Sequence, residues 1–383
     1  MTAGTRLVIV GGGIAGMTAA AALGQRGFDV TLLEAAPEFG EIGAGVTLSP
    51  NATRGLADIG VSESVAKAGV EPALQQIQHW EDGRQLFGFD RSDQREKYGA
   101  PYVTIHRADL HEILTDAARK AGVDLQCNAA AVGSEGTTAI LHDGRRISGD
   151  VLVGADGLKS VIRQRFEEVD AHFTGHVAWR CLVPVTPELQ HLSDYPGIII
   201  GDGRMITRYN VRGSTLLNIV FFARQEGWSD DGWAIKADAQ ELREAYAGWC
   251  DDTQLLIDAA SHQDMFKWAI NARTALPSWI SGGNVTLLGD AAHAMTPFLG
   301  QGAACGIEDA IVFARAMEAS GTIAEGLTRY QNARHERTSF VQAESNANAE
   351  RMQGAETELF GLGKMRDEES LGLFEYDPRT VEV

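Results

Sequence analysis

Cysteine is scarce in this chain: Cys127, Cys181, Cys250 and Cys305 are scattered through 383 residues with no Cys-x-x-Cys spacing. That excludes a zinc ribbon and thioredoxin-type exchange, and it predicts four reduced thiols and no metal centre. Basic residues are also short, with 33 Lys and Arg against 52 Asp and Glu, so the formal net charge is −19. A chain this acidic repels nucleic acid and anionic membranes, and an anionic substrate must meet arginines placed locally. No clean apolar run of membrane-spanning length occurs, because the stretch Leu7 to Leu23 carries four glycines and reads as strand, turn and helix. Met1 to Thr5 leave no room for a secretory leader ahead of that strand, so the cytoplasm is the expected location. Internal repeats and low-complexity blocks are absent as well.

What is present begins with the β-branched run Leu7-Val8-Ile9-Val10, followed at once by Gly11-Gly12-Gly13-Ile14-Ala15-Gly16 and the alanine-rich Met17 to Gln25. In such a turn Gly11 permits the sharp bend, Gly13 lets backbone approach a pyrophosphate, and Gly16 allows close helix packing, with the helix N-terminus facing negative charge. The second strand, Val30 to Leu33, ends at Glu34, 18 residues past Gly16. A carboxylate there suits the ribose hydroxyls of an adenosine half and disfavours a ribose phosphate, so NADP is not expected in this slot. The turn by itself leaves the choice between FAD and NAD open.

Length and a hydrophobic content of 44% support one large core and a second, smaller one. The fold class expected is α/β. Residues 1–170 read as the first part of a Rossmann-like domain, with a small antiparallel insert between Val123 and Val153. Residues 171–275 are β-rich, and 276–383 restore a buried strand at Asn284 to Leu288 and add helices over Gly302 to Ala319 and Leu327 to about Arg351. Further helices are expected from Ser49-Pro50-Asn51 and from His106 to Ala121. The dinucleotide domain is thus discontinuous, with a substrate lobe inserted.

Two later motifs carry a family resemblance. Val151-Leu152-Val153-Gly154-Ala155-Asp156-Gly157-Leu158-Lys159-Ser160-Val161-Ile162-Arg163 resembles the Asp-Gly fingerprint of single-component FAD-dependent aromatic hydroxylases. Leu287-Leu288-Gly289-Asp290 through Pro297-Phe298-Leu299-Gly300-Gln301-Gly302 resembles their Gly-Asp motif. Glu41 to Gly45, Pro50-Asn51-Ala52, His106 to Leu110, Thr174-Gly175-His176, Tyr209 to Gly213 and Leu373 to Asp377 agree as well, so the resemblance spans nearly the whole chain. It is greatest to hydroxylases of salicylate, 3-hydroxybenzoate and 6-hydroxynicotinate. It implies a glutathione-reductase-type FAD domain with Gly11, Gly13, Ile14, Ala15, Gly16, Glu34, Ala35, Gly45, Val46, Arg107, Asp156, Asp290, Gly300, Gly302, Ala303 and Ala304 at the cofactor. Asp290 follows a buried strand, where it can accept from a ribityl hydroxyl. Gly300 to Ala304 open a helix whose free N–H groups favour the anionic reduced flavin by about 0.3 to 2 kcal/mol.

The implied cycle is hydride transfer from NADH or NADPH bound transiently, oxygen addition at flavin C4a, and transfer of OH to an activated small aromatic ring. Gly43-Ala44-Gly45 would permit close backbone approach and ring movement. Pro297, Tyr209 and Arg208 are the expected catalytic positions, and Arg180, Arg208, Tyr209, Thr47 and Pro297 the expected substrate contacts. The resemblance implies that the Pro297 carbonyl faces the oxygen-binding carbon. Thr47 stands where the 6-hydroxynicotinate branch has a histidine, and Arg208 where the 3-hydroxybenzoate branch has one, so no histidine base is evident. Arg208 or Arg180 could pair with a substrate carboxylate and Tyr209 with its hydroxyl, yet adjacent strand residues point to opposite faces unless a bulge intervenes. His293 and His106 are read as structural, and Trp179, Trp228, Trp233 and Phe298 as packing or pocket walls. The expected reaction is hydroxylation of a phenolic or hydroxylated N-heteroaromatic carboxylate, with decarboxylation if the attacked carbon bears the carboxylate. A flavin halogenase shares the fold, but its Trp-x-Trp-x-Ile-Pro segment is missing. A non-hydroxylating FAD redox protein stays open, and a monomer or homodimer is expected.

Overall fold

The computed structural model describes residues 4–40, 44–167, 169–228, 235–355, 357, 360 and 366–383. Gly43 of the expected glycine loop, with Glu41 and Ile42, and Trp233 lie outside the described residues. Two large sheets organise the rest. The first has six strands in the order Ile280–Ser281, Val285–Leu287, Val151–Gly154, Arg6–Val10, Asp29–Leu33 and Asp124–Gln126. Its strands run parallel except at the Ile280–Ser281 edge, with Val8 paired to Leu152 on one side and to Thr31 on the other. Leu7 to Val10 and Val151 to Val153 are buried throughout, as continuous apolar strands covered on both faces must be. The helix Ile14–Gln25 buries Ala19 to Leu23 on all sides against that sheet and against the helix Gly302–Ala319. Ala15 meets Gly289 and Gly306 there, and a Cβ on Gly289 would stand 2.9 Å from that of Ala15.

The second sheet has eight strands in the order Ile235–Lys236, Phe266–Ala272, His172–Pro184, Leu216–Arg224, Arg204–Val211, Gly197–Gly201, Leu74–His79 and Gln85–Asp90. The last two strands precede residue 171, so this sheet is not built from the inserted stretch alone. Gly197–Gly201 pairs parallel with Leu74–His79, which lets a hairpin from the first segment extend the sheet. One face packs on the helices Ala239–Ala245 and Asp251–Ser261 through Val177, Trp179, Ile206, Ile219 and Phe221. The opposite face carries Ala178, Met205, Val220 and Phe222 and turns toward the first sheet.

The small antiparallel sheet Ala131–Glu135, Thr138–Leu141 and Arg146–Ser148 forms where the insert is expected. Asp124–Gln126, at the start of that stretch, instead joins the main sheet. The helices Pro50–Asp58, Arg107–Lys120 and Gly302–Ala319 match their sequence patterns, and the last long helix, Ile323–Met352, starts a turn earlier than its apolar pattern. Among the described residues no helix is long and apolar enough to cross a membrane, and no His, Cys, Asp and Glu group could hold a metal ion.

Candidate active site

A cavity of about 440 Å³ lies between the first glycine turn and the inner face of the second sheet. Gly13, Ile14, Ala15, Gly45, Val46, Arg107, Asp290, Gly300, Gly302 and Ala303 line it on one side, and Arg180, Tyr209, Val220, Phe222 and Trp268 on the other. Pro297 and Thr47 line it between them.

The glycine turn is shaped by what crowds it. Gly11 has φ +109°, and a Cβ there would stand 2.7 Å from Asp156 N, so this residue must be glycine on two counts. Gly16 is likewise a packing position, its absent side chain leaving room for the Gly11 carbonyl. The helix Ile14–Gln25 has Gly13 as its N-cap with no side-chain cap and no acidic residue in its first turn, leaving its N–H groups for an anionic ligand. Gly12 is held at both ends: its N–H donates to Glu34 Oε2 at 2.7 Å, and its carbonyl accepts from His111 Nε2 at 2.6 Å. Ala35, next to Glu34, is exposed at the strand end.

Two expected cofactor contacts are placed otherwise. Asp156 accepts from Ser160 Oγ at 2.5 Å and from the N–H groups of Val161 and Ile162, and it does not line the cavity. It fastens its own loop and leaves Ala155 and Gly157 at the cavity wall. Burial pushes its carboxyl above the usual range, against those hydrogen bonds. The Ala304 side chain is fully buried in the core, so only its first-turn N–H is available. Arg107 heads its helix, half-buried near Asp290, Arg180 and Tyr209; burial lowers its pKa, and the Asp290 charge opposes that effect.

Strand parity separates the two substrate candidates that are adjacent in sequence. Arg204–Val211 pairs with Leu216–Arg224 without a register break, Arg208 facing Ile219 and Tyr209 facing Asn218. Tyr209 lies on the cavity face beside Gly45, whose N–H donates to Asn218 Oδ1 at 2.8 Å. Burial raises the Tyr209 phenol pKa, with Arg180 opposing, so the hydroxyl is protonated at neutral pH. Arg208 borders the cavity, but its guanidinium lies on the reverse face, contrary to its expected role at substrate. Its Nη2 donates to Gln78 Oε1 at 2.6 Å and Tyr195 O at 3.0 Å, and its guanidinium faces Asp252. With no bulge to turn it, the guanidinium supports the sheet from behind. Arg180 is on the cavity face, 4.8 Å above the Trp268 ring, and forms no ion pair among the described residues.

The loop at Pro297 is bolted in place. Thr296 and Ser345 exchange hydroxyl-to-carbonyl bonds, and Asn348 Nδ2 donates to Phe298 O at 2.6 Å. Pro297 O accepts the Gly300 N–H at 2.9 Å, leaving one lone-pair direction for a ligand. Beneath it His293 Nε2 donates to Asp309 Oδ2 at 2.5 Å, and Asp309 also takes the Gly289 N–H and Arg334 Nε. His293 is thus held by a buried carboxylate rather than by the backbone, and it does not line the cavity. Burial opposes charge on Asp309, and His293 and Arg334 overcome it, holding its pKa down to about 2. Phe298 is a cavity wall, whereas Trp179 packs on the reverse face.

Several residues at the site gave no sequence signal. Arg91, Tyr102, Trp268 and Glu368 line the cavity, and His111 fixes the glycine turn. His111 sits four residues after Arg107, on the same face of one helix, and that spacing was the one available clue.

Residues 4–345 match the family model described as FAD binding domain. The chain is 35% identical over 350 residues to 3-hydroxybenzoate 6-hydroxylase 1 of Aquipseudomonas alcaligenes, covering 88% of this chain and 87% of that protein. It is 34% identical over 359 residues to 6-hydroxynicotinate 3-monooxygenase of Pseudomonas fluorescens, covering 91% and 92%. A salicylate hydroxylase substrate complex superposes with a TM-score of 0.83 at 26% identity, over 98% of this chain and 96% of that one. The chain belongs to the FAD-binding monooxygenases that hydroxylate aromatic rings. Its glycine turn, Glu34, half-buried Arg107 and the open first turn of the helix Gly302–Ala319 fit FAD, with N–H donors and positive charge for its diphosphate, a carboxylate for its ribose and donors for its ring.

Proposed function

We propose that this enzyme hydroxylates a ring carbon of a small aromatic carboxylate that also carries a hydroxyl group, using O2 and NADH or NADPH. The observation that carries this reading is Arg180, a cation in the cavity wall resting on Trp268 with no carboxylate partner among the described residues. A guanidinium so placed matches a substrate carboxylate in a two-pronged pair, and the Trp268 and Phe222 walls match an aromatic ring. Tyr209, protonated, donates to or accepts from the substrate hydroxyl. FAD, when bound, supplies hydride acceptance and oxygen activation. The chain orients the ring, excludes water and keeps the Pro297 loop rigid beside the reacting edge. Thr47 and the reverse-facing Arg208 leave this site without the histidines of the two relatives' branches, so its substrate differs in the contacts made at those positions. Where the attacked carbon bears the carboxylate, carbon dioxide leaves.

The test is oxygen uptake and product mass with 3-hydroxybenzoate, 6-hydroxynicotinate and salicylate, under excess NADH. Gain of one oxygen atom, with or without loss of carbon dioxide, supports the reading. Reduction of the flavin with peroxide as the sole oxygen product would instead favour a non-hydroxylating redox protein.

A further inference from the structure

The aromatic hydroxylation proposed above needs a proton acceptor, because a ring attacked by electrophilic oxygen reacts far better as the phenolate than as the phenol. No histidine lines the cavity among the described residues. A carboxylate does. Glu368 comes from the C-terminal segment and reaches the cavity beside Gly300 and Thr47. A Cβ built on Gly300 would stand 3.9 Å from Glu368 Oε1 and 3.0 Å from Thr47 Oγ1, which puts both groups around one point next to the Pro297 loop.

Its other oxygen is held. Arg91 Nη2 donates to Glu368 Oε2 at 3.2 Å and Arg91 Nε to Gln75 Oε1 at 3.0 Å. The Arg91 guanidinium is itself fixed 4.9 Å from the Tyr102 ring and 5.2 Å from that of Phe374. The Glu368 backbone is anchored by Leu373 N–H, which donates to Glu368 O at 2.9 Å. A carboxylate kept only as a tether would turn both oxygens to the arginine. Here Oε1 lies instead on the side of Gly300, a residue of the cavity wall, with Gln301 as a hydrogen-bonding neighbour of the carboxylate.

We infer that Glu368 is a catalytic residue, the base that takes the proton from the hydroxyl of the aromatic substrate, with Arg91 as its positioning residue. This rests on the hydroxylase reading. In the step the substrate O–H bond breaks, an O–H bond forms on the Glu368 carboxylate, and the electron pair stays on the substrate oxygen and feeds the ring carbons ortho and para to it. Burial pushes the carboxyl up to about 7, opposed by Arg91 and reinforced by Asp367, with Gln301 and Arg91 as hydrogen-bonding neighbours. A base poised near neutral pH is matched to this task. The other ionisable groups around it are Tyr102, and Glu369, which shares Arg91 at 3.6 Å and pairs with Lys97.

The holoenzyme and its Glu368→Gln and Glu368→Asp variants are compared for bound FAD, substrate affinity, and product formed per NADH oxidised, across pH 5.5 to about 8.5, a range chosen to bracket an acceptor of this kind. The probes are 3-hydroxybenzoate, 6-hydroxynicotinate and salicylate. The expected result is that Glu368→Gln keeps its flavin and binds the probe, while product per NADH falls about 10²-fold or more, peroxide replacing product. The acid limb of the parent's coupling profile disappears in Glu368→Gln and survives, shifted, in Glu368→Asp. Coupling in Glu368→Gln equal to the parent's with the same acid limb would overturn the inference alone. Loss of flavin or probe affinity with unchanged coupling in the loaded fraction would also overturn it, making Glu368 a tether. A parent that gives only peroxide with every probe overturns the hydroxylase reading and this inference with it.

Discussion

Arg208 and Tyr209 are neighbours in sequence and stand on opposite faces of one strand, Tyr209 in the cavity beside Gly45 and Arg208 behind the sheet bonded to Gln78. The unbroken pairing with Leu216–Arg224 fixes that division. It assigns the two residues different kinds of work, and replacing each gives a different measurable loss.

Arg208→Ala is expected to lower stability by about 2 to 4 kcal/mol, since it leaves a cavity and strips the buried Gln78 Oε1 of its donor. Denaturant melts of the FAD-loaded protein check this. Substrate KM in the folded fraction is expected to stay within about twofold of the parent, because a loss on the reverse face leaves the contacts in the cavity in place.

Arg180→Ala is expected to act the other way. Loss of a charge-assisted hydrogen-bond pair raises KM for a carboxylate substrate by about 10- to 100-fold, with little change in stability. The corresponding amide should lose far less. Equal losses for acid and amide would remove Arg180 as the carboxylate partner.

Gly45→Ala would place a methyl group against the Tyr209 ring and 2.8 Å from Asn218 Cγ. Overpacking of this kind costs about 1 to 3 kcal/mol. Weaker FAD binding in a fluorescence titration is expected, and Asn218→Ala should not rescue it, because the Tyr209 ring and the Cβ at 218 still meet the added methyl and the acceptor of the Gly45 N–H is lost.

The Asp309 carboxylate, held near 2 by His293 and Arg334 against an ordinary value of 3.8, sets an acid limit. A carboxyl whose folded pKa is depressed contributes stability that is fully present above its unfolded pKa and is lost as pH falls through the folded one. The melting temperature of the parent is therefore expected to drop between about pH 4 and pH 2. Asp309→Ala removes one partner from a buried ionic cluster and is expected to cost roughly 3 to 5 kcal/mol at neutral pH, with a shallower acid decline.

The parts of this molecule legible in sequence are those where local spacing carries the physics. The glycines of the first turn, the strand ending at Glu34 and the helix from Arg107 each follow from periodicity and turn chemistry within a short window. The cavity glycines and Asp290 were reached through motif resemblance. What was not legible depends on distant pairing. Leu74–His79 reads Leu-Gln-Gln-Ile-Gln-His, with no clean alternation, so nothing local announces that it extends the second sheet. Glu308 and Asp309 are charged residues in mid-helix, a pattern that normally marks a solvent face, yet both are fully buried by Arg334 and its neighbours. Arg91 and Glu368 meet across 277 residues. For Arg208 the reason is simpler: parity says that two adjacent residues differ in face but not which one looks inward.

The strand Arg6–Val10 lies between Asp29–Leu33 and Val151–Gly154, and the latter waits for Val285–Leu287. A growing polypeptide thus carries bare hydrogen-bonding edges on its most apolar sheet until most of it has left the ribosome. Such edges recruit other chains, and long-range parallel pairing is slow. Fragments ending before residue 285 are expected to clump rather than fold, and yield on expression to depend on chaperones even where every catalytic group is intact.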